Sequence, residues 1–369
     1  LAVEGLRDRR SVALPTGTLD VAVSPGDWPL DALCGFGARR NPRRGFLVVS
    51  KVLGRHVPAR PSAMRAAMNA LAGRLPELQG PLVVLGLAET AICLAQGVHE
   101  AIVRAGHEDA LFLHSTRQQI DSPLLCRFDE PHSHAPAHLV YRPENKGFDR
   151  PRTIVIVDDE VSTGTTIVNL ARRVVAAWPS IERIVVATLA DWSKDGSWIA
   201  QMPRPARCVS LIRGQLEWRA AAPMESAEIA VGALGRMSAH HNFGRLGRRD
   251  VAAEPPLTTL PPLPPKSTLR VLGTGEFTYP PFRLAEHLEA AGHDVVVQAT
   301  SRSPARIGGA IGQALSFLDH EGASVPHHLY NVDPQDGRTT LICHETPAGS
   351  IDPWLVDTLR AHCIAYGAG

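Results

Sequence analysis

Thr153-Ile154-Val155-Ile156-Val157-Asp158-Asp159-Glu160-Val161-Ser162-Thr163-Gly164-Thr165-Thr166 is the stretch on which the reading turns. Thr153–Val157 predicts a buried strand; paired carboxylates end it, and a hydroxyl- and glycine-rich turn leads into a helix predicted over Thr166–Trp178. In an open α/β sheet, ligands bind beyond the carboxyl ends of the strands, so Asp158 and Asp159 stand where a substrate would. The turn Ser162–Thr166 supplies backbone N–H groups, hydroxyls and a helix N-terminus, a set that suits a phosphate dianion. An acid pair standing alone would read as a solvated loop. Followed by a phosphate cradle, it implies a phosphosugar: the carboxylates accept hydrogen bonds from vicinal ribose hydroxyls while the cradle holds the 5′-phosphate. No Gly-Lys-Ser/Thr follows the glycine, which excludes a Walker-type loop.

Outward from this stretch, apolar runs at Pro81–Leu87 and Ala110–His114, helical spacing over Glu89–Ala105 and a strand at Ile184–Leu189 give alternating strands and helices, hence a parallel sheet with crossover helices. Six prolines between Ala252 and Lys266 (Pro255, Pro256, Pro261, Pro262, Pro264, Pro265) block helix and sheet pairing and read as a semi-rigid linker. Beyond it come a strand at Leu269–Gly273, a helix at Phe282–Ala291, a strand at Asp294–Ala299, a helical stretch at Ile307–Leu318 and a strand at Thr339–Cys343. The expected organisation is therefore an α/β domain over 1–250, a linker over 251–268 and a smaller α/β domain over 269–369.

Composition narrows the function. Lys and Arg number 38 against 37 Asp and Glu, a net charge of +1, which argues against nucleic-acid binding through bulk electrostatics. A hydrophobic fraction of 44% fits a globular chain, and the longest apolar runs fall short of the ~20 residues that span a bilayer. The six cysteines are scattered with no CxxC pair, so neither a zinc framework nor a disulfide scaffold is expected. No basic segment followed by an apolar run and a cleavage site opens the chain at Leu1, and a cytoplasmic enzyme with a small-molecule partner is the expectation.

The stretch 153–166 resembles the phosphoribosyl pyrophosphate signature of type I phosphoribosyltransferases, with strand, acid pair and Ser-Thr-Gly-Thr-Thr in register. By that resemblance Asp158 and Asp159 hold the ribose, and Ser162, Thr163, Gly164, Thr165 and Thr166 the 5′-phosphate. It also implies Mg²⁺, held mainly by the substrate, and a pyrophosphate loop after the first core strand, here Gly86-Leu87-Ala88-Glu89-Thr90-Ala91. Ala88 lets the backbone approach the diphosphate and Thr90 adds a hydroxyl. Glu89, like Asp159, is a candidate for the metal or its waters, and equally a first-turn acid favoured by the helix dipole. The loop departs from the commoner glycine-richer versions.

The resemblance further implies a mobile hood over Ser115–Gly147. Arg117, following a strand, is a candidate for the departing pyrophosphate. Glu130, His132, His134 and His138 read as acceptor-pocket or proton-transfer groups, with a metal site and a solvated loop as the other readings. Upstream, arginines at 39, 40, 43 and 44 precede a strand that ends in Ser50-Lys51; a solvated basic turn and an anion site are both consistent, and Lys51 is the residue favoured for pyrophosphate.

Asn41–Pro61, Glu130–His138, Gly273-Thr274-Gly275-Glu276-Phe277 and Thr300-Ser301-Arg302-Ser303-Pro304 resemble a bacterial two-domain family over nearly the whole chain. That family joins a divergent orotate-phosphoribosyltransferase-like domain to a C-terminal domain named for a Thr-Arg-Ser-Pro motif, which reads Thr-Ser-Arg-Ser-Pro here. The resemblance implies an association with tellurite-resistance and stress-response genes and the making of a nucleoside-like metabolite.

The halves also resemble each other. Val84-Leu85-Gly86-Leu87-Ala88-Glu89 aligns with Val271-Leu272-Gly273-Thr274-Gly275-Glu276, Ser115-Thr116-Arg117 with Thr300-Ser301-Arg302, and His138-Leu139-Val140-Tyr141 with His327-His328-Leu329-Tyr330. Asp158 lies 72 residues after Gly86 and His344 lies 71 after Gly273, so Asp158-Asp159 correspond to His344-Glu345. The C-terminal domain then reads as a degenerate repeat of the same core, although shared βαβ periodicity alone gives some of the match.

The function these observations favour is Mg²⁺-dependent phosphoribosyl transfer from phosphoribosyl pyrophosphate to a small acceptor. The other readings are a sensor that binds the phosphosugar without reaction, and a second site in the C-terminal domain (Gly273, Gly275, Glu276, Arg302, His344, Glu345) with hydrolase or phosphate-ester chemistry. Orotate-type relatives act as dimers whose hoods reach the neighbouring site, which implies a homodimer or an intramolecular pseudo-dimer through the C-terminal domain.

Overall fold

The computed structural model describes residues 8–39, 44–129, 137–144, 148, 150–221, 235–236, 242–251, 257–318 and 325–366. The first half begins with β1 (Asp8–Leu14), β2 (Gly17–Val23), α1 (Leu30–Leu33), β3 (Cys34–Arg39) and β4 (Phe46–Ser50). It continues through α2 (Pro61–Ala72), β5 (Leu82–Gly86), α3 (Ile92–Arg104), β6 (Leu111–His114), β7 (Gln118–Gln119), β8 (Leu124–Asp129) and β9 (Ala137–Tyr141). It ends with β10 (Thr153–Val161), α4 (Thr165–Ala177), β11 (Arg183–Asp191), β12 (Ala206–Ala220) and β13 (Gly235–Arg236).

Seven of these strands form one sheet in the order β1-β2-β12-β11-β10-β5-β6, parallel from β12 to β6 and antiparallel at the β1-β2-β12 edge. Alternate side chains decide its two faces. Leu82, Val84, Val155 and Val157 pack with α2 and α3, whereas Val83, Leu85, Ile154 and Ile156 pack with α4. Both faces are covered, which is why these strands read as continuous apolar runs. β10 outruns the strand expected from sequence. It stays paired with β11 as far as Val161, but loses β5 after Val157, opposite Gly86. The acid pair therefore stands where β5 and β10 part and their crossovers leave in opposite directions, the switch point of the sheet.

The second half comprises β14 (Thr268–Gly273), α5 (Tyr279–Ala290), β15 (Asp294–Ala299), β16 (Ala305–Gly309), β17 (Ala314–Leu318), β18 (Pro326–Tyr330), β19 (Thr339–His344), α6 (Pro353–Leu359) and β20 (His362–Ala365). Its parallel sheet, β15-β14-β19-β20, repeats the order β6-β5-β10-β11. The register repeats too: Gly273 lies opposite Cys343 as Gly86 lies opposite Val157, so His344-Glu345 occupy the places of Asp158-Asp159. Each half carries a hairpin that pairs a phenylalanine with a histidine, Phe128 with His138 and Phe317 with His327. Bridges Thr116–Leu139 and Ser301–His328 correspond, and Tyr141 and Tyr330 clamp equivalent turns through their hydroxyls.

The helical stretch expected at Ile307–Leu318 is not a helix. Gly308 and Gly309 adopt φ of 145° and 61°, closed to a right-handed helix, and the segment forms β16, paired with β3, and β17, paired with β18. The proline segment 260–265 carries no helix or strand, yet it is no free spacer, because Leu260 and Leu263 pack on the main core. That core runs without a break through both halves: Met64, Met68 and Leu71 of α2 belong with Phe282, Leu284 and Leu288 of α5 and with Val271 and Val297 of the second sheet. α2, α3 and α5 form the shared layer, fastened by Arg65, which contacts Glu100 at 2.9 Å and Glu286 at 2.7 Å. The six cysteines are free, and among the described residues no helix is long and apolar enough to cross a membrane.

Candidate active site

Three backbone segments converge at the switch point. Asp158 and Asp159 are half-buried on β10, with the Asp159 N–H donating to Asp158 Oδ1 at 2.9 Å. The turn behind them ends at Gly164, whose φ of 72° is left-handed and whose missing side chain leaves room for the Trp198 ring, so glycine is required twice over. α4 starts there, its first N–H, that of Thr165, donating to Thr163 Oγ1 at 3.4 Å. Ser162, Thr163 and Thr165 are exposed and Thr166 is half-buried, so hydroxyls and first-turn N–H groups face outward together. Thr163 Oγ1 lies 3.0 Å from Thr165 Oγ1.

The loop after β5 is tied to β10 immediately before the acids: the Leu87 N–H donates to the Val157 carbonyl at 3.1 Å. The Ala88 N–H donates to Ser115 Oγ at 2.9 Å, and that hydroxyl lies 3.1 Å from His138 Nδ1. The Ala88–Glu89 peptide is cis. Buried Arg55 donates to the carbonyls of Glu89 and Gly275, each at 2.8 Å, and to that of Thr300, and it stands 3.9 Å from the Glu89 carboxylate. That carboxylate also accepts from Ser301 Oγ at 3.5 Å and from the Arg302 N–H at 3.4 Å. Burial would raise the Glu89 carboxyl; Arg55, Arg117, Arg302 and His327 outweigh it and hold the group below the usual carboxylate range.

The other expected residues make contacts of their own. Arg117 is buried, its N–H donates to Glu276 Oε1 at 2.7 Å, and its guanidinium lies 3.2 Å from His138 Nε2. Lys51 donates to the Asp31 carbonyl at 2.8 Å. Thr90 is half-buried beside Glu89. Glu130, His132 and His134 lie outside the described residues. Among the described residues no group of three or more His, Cys, Asp or Glu side chains is arranged to hold a metal.

In the second half, Gly275 N–H donates to Thr300 Oγ1 at 2.8 Å, as Ala88 does to Ser115. Glu276 and Glu345 converge on Arg245, which spans Glu345 with two hydrogen bonds of 2.7 and 2.8 Å and reaches Glu276 at 3.0 Å, all three side chains being no more than 3% exposed. Burial opposes ionisation of Glu276, but Arg245, His114, the Arg117 N–H and the Thr116 hydroxyl bring its pKa down to about 2. His344 Nδ1 lies 2.9 Å from the Thr346 carbonyl oxygen. Sequence reading missed Arg55 and Arg245. Each lies in a segment already noted for other reasons or merely basic, and each acquires partners from the opposite half of the chain as well as from its own.

Two buried histidines make the fold acid-sensitive. Burial, then Arg245, takes His114 down to about 4; burial, then Arg55, takes His56 down to about 3. The folded state keeps both neutral while the unfolded chain protonates them near 6.5, so their stabilisation is complete above pH 6.5 and is lost as pH falls toward 4 and 3. Melting temperature measured from pH 7.5 to 4.5 is expected to drop by at least ~5 °C. A flat profile over that range would contradict the burial of these imidazoles.

Residues 33–215 match a family model described as phosphoribosyl transferase, and residues 252–358 match that of the TRSP domain found C-terminal to it. The chain belongs to the family that joins these two domains, and its first half is an α/β unit built on a mostly parallel sheet. Adenine phosphoribosyltransferase from Rhodothermus marinus is 17% identical, with 48% of this chain and 93% of that one covered and a TM-score of 0.30. Adenine phosphoribosyltransferase from Trypanosoma brucei, solved with AMP, pyrophosphate and ribose-5-phosphate, is 13% identical over 55% of this chain and 86% of that one, with a TM-score of 0.34. The hypoxanthine-guanine enzyme from L. donovani is 15% identical over 42% and 85%, with a TM-score of 0.27. No curated protein matches the chain.

Proposed function

We propose that the protein transfers a 5-phosphoribosyl group from phosphoribosyl pyrophosphate to a small acceptor, a base or an acid, releasing pyrophosphate in the biosynthesis of a nucleoside-like metabolite in the cytoplasm. The observation that carries this reading is the convergence at one switch point of the acid pair, the N-terminus of α4 with its hydroxyls, and the loop 87–91 bonded to β10 next to Asp158. Asp158 and Asp159 accept from the ribose hydroxyls, and 162–166 receive the 5′-phosphate. Ala88, Glu89 and Thr90 border the diphosphate.

Pyrophosphate leaves C1 as positive charge develops on the sugar ring, so the chain's task is positioning and electrostatic stabilisation of both fragments. Half-buried carboxylate oxygens are hard donors suited to Mg²⁺ or its waters, and the metal would be carried largely by the substrate. When bound, Mg²⁺ neutralises the leaving diphosphate.

Incubation with phosphoribosyl pyrophosphate and Mg²⁺ against a panel of bases and carboxylic acids is expected to release pyrophosphate with one acceptor class and to give a product heavier by one phosphoribosyl group. Binding without release across the panel would favour the sensor instead.

A further inference from the structure

The two halves exchange hydrogen bonds reciprocally. Glu89 of the first half accepts from Ser301 Oγ and the Arg302 N–H; Glu276, its counterpart, accepts from Thr116 Oγ1 at 2.5 Å and the Arg117 N–H at 2.7 Å. Thr116-Arg117 and Ser301-Arg302 are themselves counterparts. The arginines are also held alike: Arg302 Nε donates to His327 Nε2 at 3.2 Å, as Arg117 Nη2 lies 3.2 Å from His138 Nε2. Each half thus lays its arginine loop against the glutamate loop of the other, about a pseudo-twofold axis.

Occupancy breaks the symmetry. In the second half the places of Glu89 and Asp159 are taken by Glu276 and Glu345, and one buried guanidinium, that of Arg245, already binds both. A ligand there would have to displace a bidentate pair out of water, at a cost of several kcal/mol. Arg302 is set differently. Its backbone N–H meets the Glu89 carboxylate of the loop 88–90, which borders the switch point of the first half, and its guanidinium acts on Glu89 together with those of Arg55 and Arg117. Guanidinium is the group best matched to phosphate oxygens, through planar paired donors and a permanent charge.

We propose that the chain contains one composite site: Arg302 of the second half, oriented by His327, binds the diphosphate of the ligand held by the first half, and Arg245 closes the equivalent place in the second half to any ligand. The proposal rests on the reading of the first half as a phosphoribosyl pyrophosphate site. It assigns to Arg302 a role in the other half's chemistry, where sequence order alone groups it with Glu276 and Glu345.

The test titrates the full chain calorimetrically with pyrophosphate plus Mg²⁺ and, separately, with ribose 5-phosphate. Wild-type protein is expected to bind one equivalent of each. Arg302→Gln should weaken pyrophosphate at least tenfold and leave ribose 5-phosphate within about twofold, while Arg302→Lys, which keeps the charge but loses the fork, should lie between. Unchanged pyrophosphate affinity in Arg302→Gln, equal loss of both ligands, or two pyrophosphates per wild-type chain would overturn the composite site while leaving the phosphoribosyl reading intact. Wild-type protein that binds neither ligand would overturn that reading and the composite site with it.

Discussion

Arg245→Met is expected to lower the melting temperature by roughly 10 °C or more, or to abolish soluble expression. The methionine fills much of the volume but leaves Glu276 and Glu345 facing each other, each no more than 3% exposed, with no cation between them. Breaking one buried pair by removing a partner costs about 3–5 kcal/mol, and here two carboxylates lose the same guanidinium. The cost comes from stranded charge rather than from lost attraction, so Arg245→Met with Glu276→Gln and Glu345→Gln should recover more than half of it. Thermal melts of the single and triple variants decide the point. A single variant melting within two degrees of wild type (about 1 kcal/mol) would show that Arg245 is not the keystone between the halves.

Asp158→Asn with Asp159→Asn is expected to remove phosphoribosyl pyrophosphate binding while sparing the fold. Both carboxylates are half-buried and the amides match them in volume, so the substitutions cost the folded state little. An amide keeps the shape of the carboxylate but replaces an acceptor by a donor, which opposes a ribose hydroxyl that must donate. Charged hydrogen bonds are worth about 1.5–3 kcal/mol each, so losing two weakens binding by roughly 10² to 10⁴.

Much of this arrangement is readable in the chain itself, because it is encoded locally. The strand 153–157, the turn Ser162–Thr166 and the run Pro81–Leu87 announce themselves through β-branched runs and a required glycine, and the observed β10, α4 and β5 lie where these signals put them. The matched pairs Gly86 and Gly273, Arg117 and Arg302, and His138 and His327 are likewise visible as a repeat: the glycines occupy corresponding places in the two parallel sheets, the histidines in the two hairpins, and the arginines follow the corresponding bridges at Thr116 and Ser301.

What escaped local reading depends on distance. Apolar spacing over 307–318 suggested a helix, but Gly308 and Gly309 and the offered edge of β3 outweighed periodicity. Arg55 and Arg245 lie in irregular segments, and their partners, Gly275, Thr300, Glu276 and Glu345, are supplied only by the docking of the halves. The same holds for Arg302: one-dimensional order places it beside Glu276, whereas the crossing of the loops brings it to Glu89.

The most direct test of the phosphoribosyl reading is a calorimetric titration of the full chain with phosphoribosyl pyrophosphate and Mg²⁺, wild type beside Asp158→Asn with Asp159→Asn. The predicted result is one binding event per wild-type chain and none in the variant, with melting temperatures within a few degrees of each other. A variant that folds and binds with wild-type affinity would contradict the assignment of the switch point between β5 and β10 as the site.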